Sequence, residues 1–222
     1  PAVNLIFQEI KNLENNSNNR KDKKIENLSF KNKLNFTNIT FGYKEKNIFE
    51  NFNFEIKKNS FNSIIGKSGS GKSTLVNIIL GLIMPQAGNI EIDKKKINMN
   101  DYKYINKNFG YVAQNFVLQD KNIKENIAFG VKDEKINLDK IRNIISMVEL
   151  EGFVKNLPQG LDTIIGERGK NISGGQMQRI AIARSLYHEP DILILDESTN
   201  SLDSETEEKI LKMIKKNLKE QT

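Results

Sequence analysis

Residues 66–74, "GKSGSGKST", place Gly66, Gly71, Lys72 and Ser73 at the spacing GxxxxGK[ST]. The chemistry that asks for these residue types is the grip on a polyphosphate. Glycines let backbone N–H groups curl around phosphate oxygens, a helix starting at the loop adds the positive end of its dipole, Lys72 reaches the β- and γ-phosphates, and the hydroxyl of Ser73 is a magnesium ligand. The candidate binding run is therefore Gly66, Lys67, Ser68, Gly69, Ser70, Gly71, Lys72, Ser73 and Thr74. A glycine-serine turn without a ligand is the alternative, and the strand-like residues before the loop and helix-like residues after it weigh against that.

Two acids supply the complementary chemistry. Asp196 follows Lys72 by 124 residues (196 − 72) and closes the apolar run "DILILDE", 191–197. The run reads as a strand buried on both faces in a parallel sheet, which puts Asp196 at the carboxyl edge where open α/β sheets bind ligands. A carboxylate there holds magnesium through water, and Glu197 beside it polarises or deprotonates an attacking water. A solvated acidic pair is the plainer reading of these two residues taken alone.

A third stretch, "ISGGQMQR" (172–179), admits two readings. Ser173 and Gln176 fit a capping box, in which side chain and backbone satisfy each other at a helix N-terminus. The glycine pair between them equally allows an anion to approach the exposed N–H groups.

The elements that must position these residues follow from periodicity. Val3, Ile6, Ile10 and Leu13 mark one narrow face of a short helix, and "ENNSNNRKDKK" (14–24) is a polar linker. "LNFTNITFGY", "NFNFEI" and "FNSIIG" read as strands. "KSTLVNIILGLIM" is helical up to Pro85, "FGYVAQ" is a strand ending at Gln114, and 115–165 is mostly helical, with Ile141, Ile144, Ile145 and Val148 on one face.

With 222 residues the chain is long enough for one large domain with an inserted lobe. A mean hydropathy of −0.53 with no apolar run of spanning length gives no membrane crossing within it. The absence of cysteine excludes disulfides and thiolate metal sites. The net charge is +6, and residues 11–33 hold seven Lys or Arg against three acids. Such a run suits a solvated linker, with anionic lipid or nucleic acid as the alternatives.

Taken together, the phosphate loop, a glutamine-ended strand, "ISGGQ" at 172–176 and the acidic strand end, in that order, resemble the nucleotide-binding domain of ABC (ATP-binding cassette) proteins. The resemblance covers about residues 34–222. It implies an α/β P-loop NTPase (RecA-like) core with an antiparallel β subdomain and an inserted α-helical subdomain. Residues 1–33 would be the end of a transmembrane-domain helix and a basic linker, 34–114 and 166–222 the nucleotide-binding core, and 115–165 the helical subdomain. It also implies ATP and Mg2+ as ligands and a second ABC domain packed head to tail, so that Ser173, Gly174, Gly175 and Gln176 close over the γ-phosphate held by the other copy. Tyr43 would stack on adenine, Gln114 would touch the magnesium and the water, and Asp203 in "SLD" would reach across the dimer.

"TIIGERG" (163–169) and "NIKENIAFG" (122–130) are similar to exporter segments. They imply a transmembrane partner met through the Gln114 and Glu167 regions, on the cytoplasmic side of a membrane, with no nucleic acid. Lys67 stands where the family often has proline, and Asn200 and Ser201 replace Ser-Ala. The family's phosphate-sensing histidine would fall beyond Thr222, so the chain is expected to be a piece of a longer transporter; His188 is expected to be an exposed loop residue. Two other functions compete. One is a non-transport ABC protein for DNA repair, chromosome maintenance or translation: the chromosome type would need a coiled coil between loop and signature, where only 101 residues (173 − 72) without sustained heptads separate Lys72 from Ser173, and the translation type carries two cassettes in one chain. A regulatory cassette that no longer hydrolyses is disfavoured by Glu197.

Overall fold

The computed structural model describes residues 30–44, 46–98, 101–165, 172–196, 205–206 and 208–212. The expected N-terminal helix and linker through residue 29 lie outside them. Phe30 is buried in the core at 2% exposure.

Two long strands, β1 (Lys33–Tyr43) and β2 (Lys46–Lys57), form an antiparallel hairpin. Alternating apolar residues make this pairing stable: Phe36 and Phe54 are register partners and their rings stack at 4.1 Å. β3 (Ala87–Ile92) adds to the other side of β1, and β4 (Lys95–Lys96) turns back on β3, giving the order β2-β1-β3-β4. This hairpin was not expected. Its turn residues Asp93 and Lys94 both have positive φ, 47° and 72°, as a tight primed turn requires. Asp93 also accepts from the backbone N–H groups of Lys31, Asn32 and Lys33 at 2.7, 2.8 and 2.8 Å, which fastens the entry of the chain to the sheet.

Helix α1 (Lys72–Ile79) ends before Pro85, the limit suggested by its apolar run. Gly81 stops it in the left-handed conformation (φ 68°), with its N–H bonded to Ile78 O and that of Leu82 bonded to Asn77 O. A Cβ on Gly81 would also meet the Tyr102 ring at 2.0 Å. Tyr102 opens the short helix α2 (Tyr102–Ile105).

A second sheet is the parallel pair β5 (Phe109–Val112) and β6 (Ile192–Leu195). Period-2 alternation divides it between two cores. Ile192, Ile194 and Phe109 join α1 and the antiparallel sheet, whereas Val112, Leu193 and Leu195 join the helical region. That region, expected over 115–165, contains α3 (Ile123–Ile127), α4 (Leu138–Met147) and α5 (Glu151–Lys155). Asn122 and Asn137 cap α3 and α4 by accepting from Glu125 N and Lys140 N, and a bridge between Asn122 and Ile164 closes the lobe. Helix α6 (Gly174–Tyr187) packs through Ile180, Ile182 and Ala183 into the same core.

Two expectations are corrected. The segment 60–67, which contains "FNSIIG", forms no strand, and Phe61, Ile64 and Ile65 are 61%, 45% and 91% exposed. β6 is half-buried beyond Ile192 rather than enclosed on both faces. One physical cause covers both: among the described residues the parallel sheet has two strands, so neither run finds the neighbours that would bury it.

Candidate functional site

The glycine-rich loop enters α1 through Gly71, whose φ of 95° is left-handed. Glycine is needed there twice, because a Cβ would also meet Ile48 Cγ2 at 2.6 Å and Phe49 Cζ at 3.1 Å. Gly69 (φ 77°) has open space where a Cβ would sit, and one on Gly66 would press on Ser70 Oγ at 2.5 Å. Gly66, Lys67, Ser68, Gly69, Ser70 and Ser73 are exposed, Gly71 and Lys72 are half-buried, and Thr74 is buried. The N-cap glycine has no side chain with which to accept from the first-turn amides, so these remain for water or an anion. Lys72 Nζ donates to Gly66 O at 2.9 Å and Lys67 O at 3.2 Å, which folds the ammonium over the loop's own carbonyls.

Tyr43 is brought to this end of the molecule. It lies edge-on to Phe41 at 5.0 Å, Phe41 is the register partner of Phe49, and Phe49 touches the site of Gly71. Its ring is 51% exposed, leaving a face available for stacking. Gln86 ties the chain after α1 to the same strand by donating from Nε2 to Gly42 O at 3.1 Å.

Gln114 and Asp196 share the carboxyl edge of the parallel pair. Strand β5 stops at Val112, two residues before Gln114, which is exposed. Asp196 N donates to Val112 O at 3.0 Å, and its Oδ2 accepts from Tyr111 Oη at 3.2 Å. Partial burial, the Asp196 charge and this hydrogen bond together push the Tyr111 phenol above its ordinary value, so it stays a proton donor. Among the described residues no hydrogen bond or ion pair links Asp196 to the loop 66–74. Ser73, Gln114 and Asp196 are all oxygen donors, the ligand chemistry that magnesium selects.

At the third stretch the capping box is present in full. Ser173 Oγ accepts from Gln176 N at 3.2 Å, and Gln176 Oε1 accepts from Ser173 N at 2.9 Å. Ser173 and Gly174 are exposed, Gly175 and Gln176 half-buried. His188, expected in a loop, is exposed at the C-cap of α6, with Nε2 3.1 Å from Phe129 O. Glu197, Asp203 and Glu167 lie outside the described residues.

Two residues without an assigned role in the sequence hold the region after Gln114 together. Asn126 is fully buried; its Nδ2 donates to the carbonyls of Gln119, Lys121 and Asn122, and its Oδ1 accepts from Gln119 N. Arg184 on α6 then donates to Asn126 O (2.8 Å), Asn126 Oδ1 (2.9 Å) and Val117 O (3.0 Å). An asparagine inside the otherwise apolar face of α3 was the only signal available for this clasp.

A family model described as "ABC transporter" matches residues 49–200. ABC transporter B family member 21 of Arabidopsis thaliana is 41% identical over 177 residues, 78% of this chain and 14% of its own length. The multidrug resistance-like ATP-binding protein MdlB of Buchnera aphidicola subsp. Schizaphis graminum is 41% identical over 180 residues, covering 80% of this chain and 30% of that protein. The mitochondrial iron-sulfur clusters transporter ATM1 of Kluyveromyces lactis is 40% identical over 187 residues, 83% and 25% respectively. A solved structure of a bacterial Atm1-family ABC exporter with ATP bound superposes with a TM-score of 0.77 at 35% identity, over 84% of this chain and 32% of that one. The chain thus spans a third or less of the length of these relatives.

Proposed function

Since the chain belongs to the ABC transporter family, we propose that it is the ATP-hydrolysing part of an exporter and works as a pair of cassettes closing on two ATP molecules. Gly66 to Thr74 hold the phosphates of one ATP, with Lys72 leaving its loop carbonyls for the β- and γ-oxygens, and Tyr43 stacks on the adenine. Bound magnesium supplies charge neutralisation, with Ser73, Gln114 and Asp196 as the residues that hold it. Glu197 takes the proton of the attacking water, and Gln114 orients that water. Ser173, Gly174, Gly175 and Gln176 meet the γ-phosphate held by the second cassette, and Asp203 reaches across the same junction. The Gln114 and Glu167 regions face a transmembrane domain, on the cytoplasmic side of a membrane, that chooses the cargo.

The observation that carries this reading is the uncapped start of α1 at Gly71, where a left-handed glycine and a lysine on loop carbonyls leave a first turn for phosphate. Calorimetry with Mg·ATP tests it. Measurable binding by the chain and its loss in Lys72→Ala are expected; equal affinity in the two would overturn the assignment.

A further inference from the structure

Tyr111 has no part in the reading above, yet it makes the one side-chain hydrogen bond that Asp196 receives among the described residues, 3.2 Å from Oη to Oδ2. The contact follows from the fold. β5 and β6 run parallel with Tyr111 opposite Ile194 and Val112 opposite Leu195, and Asp196 N then bonds to Val112 O. Both the backbone and the carboxylate of Asp196 are therefore fastened to β5. By strand alternation Tyr111 falls on the same face as Phe109, and Phe109 and Ile194 pack into the core that contains α1. The phenol accordingly approaches Asp196 from the side of the sheet that carries the helix headed by Lys72 and Ser73.

A carboxylate that holds a metal through water has two oxygens and free rotation about its last bond. Pinning one oxygen fixes the direction of the other, the way outer partners orient ligands at metal sites generally. Resting on the reading of Asp196 as a metal-holding residue, we propose that Tyr111 is a positioning residue for the magnesium site, keeping Oδ2 engaged so that Oδ1 is presented to the ion's water. Tyr111 touches neither nucleotide nor reacting atoms in this role. Its ring is 39% exposed, so removing the hydroxyl leaves no buried group unpaired.

The test is the metal-dependent gain in affinity for β,γ-imido-ATP, measured by calorimetry with and without Mn2+ on the unmodified chain, Tyr111→Phe, Asp196→Asn and the double variant. Tyr111→Phe is expected to reduce the gain by about 3- to 10-fold, below the range for direct second partners of ligands, with the metal-free affinity and the thermal midpoint unchanged. Asp196→Asn is expected to lose more, and the double variant no more than Asp196→Asn alone. An undiminished gain in Tyr111→Phe beside a loss in Asp196→Asn would overturn the role of Tyr111 and leave the metal reading standing. An equal further loss from Tyr111→Phe in the Asp196→Asn background would also overturn it, because Tyr111 would then act elsewhere. No loss in Asp196→Asn would remove the metal reading itself and the proposal with it.

Discussion

Helices α1 and α6 both begin at glycines, and they solve the problem of a helix start in opposite ways. At α1 the N-cap is Gly71, left-handed and without a side chain, and Lys72 beside it is turned onto loop carbonyls. At α6 the N-cap is Ser173, and its capping box with Gln176 satisfies two backbone donors before any ligand arrives. One start leaves its first-turn amides to water or an anion; the other is capped by its own side chains and still has the N–H groups of Gly174 and Gly175 in its first turn. A full capping box therefore still leaves two first-turn N–H groups that an anion can approach. The difference between the two starts also predicts distinct costs. Changes at α1 should damage ligand binding first, and changes at α6 should damage folding and ligand contact separably.

The largest effect is expected at Lys72. Lys72→Ala removes the charged donor of the first helix start and should lower Mg·ATP affinity by about 100-fold, the scale of one or two charge-assisted hydrogen bonds, with little change in the unliganded melting temperature. Next comes Gly71→Val. Its Cβ meets Ile48 and Phe49, and its φ is unsuited to a branched side chain, so a stability loss of about 2 to 3 kcal/mol by urea titration is expected. Gly69→Ala should cost only the backbone term, about 1 kcal/mol, since nothing lies near its Cβ. If the two glycines cost the same, steric support of the loop by β2 is not what shapes it.

Ser173→Ala should remove about 1 kcal/mol of stability, whereas Ser173→Asp keeps a good cap and should melt near the unmodified chain. Any fall in ATP-dependent pairing in Ser173→Asp then reports charge repulsion at the tip and not an unwound helix.

The smallest effect lies far from both helix starts. Burial alone would raise the Asp93 carboxyl, but three backbone N–H donors hold it below its ordinary value. Its contribution is therefore fully present above the ordinary carboxylate value and is lost as pH falls through the depressed one. The stability gap between the unmodified chain and Asp93→Asn should accordingly shrink in acid, as measured by thermal melts from pH 7 downward. A gap that widens would have the sign wrong.

What could be read in the sequence was local. The glycine-rich start of α1, the capping box and the strands β1 and β2 each depend on residues a few positions apart or on a period-2 pattern, and each sits where expected. The helical lobe followed from apolar spacing, whereas an antiparallel sheet was expected only from the family resemblance. Long-range partners were not legible. Tyr111 meets Asp196 across 85 residues and Arg184 meets Asn126 across 58, and no spacing rule connects them. The run 61–66 misled for the same reason, because its three apolar residues, Phe61, Ile64 and Ile65, specify burial without naming a neighbour. The β3–β4 hairpin was missed because Asp93-Lys94 is an uncommon pair for a primed turn, although "NIEI" before it alternates as a strand should.

In the proposed pair, ATP is gripped between the loop of one copy and the capped tip of another. Sedimentation of Glu197→Gln with saturating Mg·ATP tests this grip most directly, run beside the same chain carrying Ser173→Asp. A nucleotide-dependent dimer is expected in the first and a monomer in the second, with matching melting temperatures. A dimer that persists undiminished with aspartate at position 173 would contradict the proposed grip.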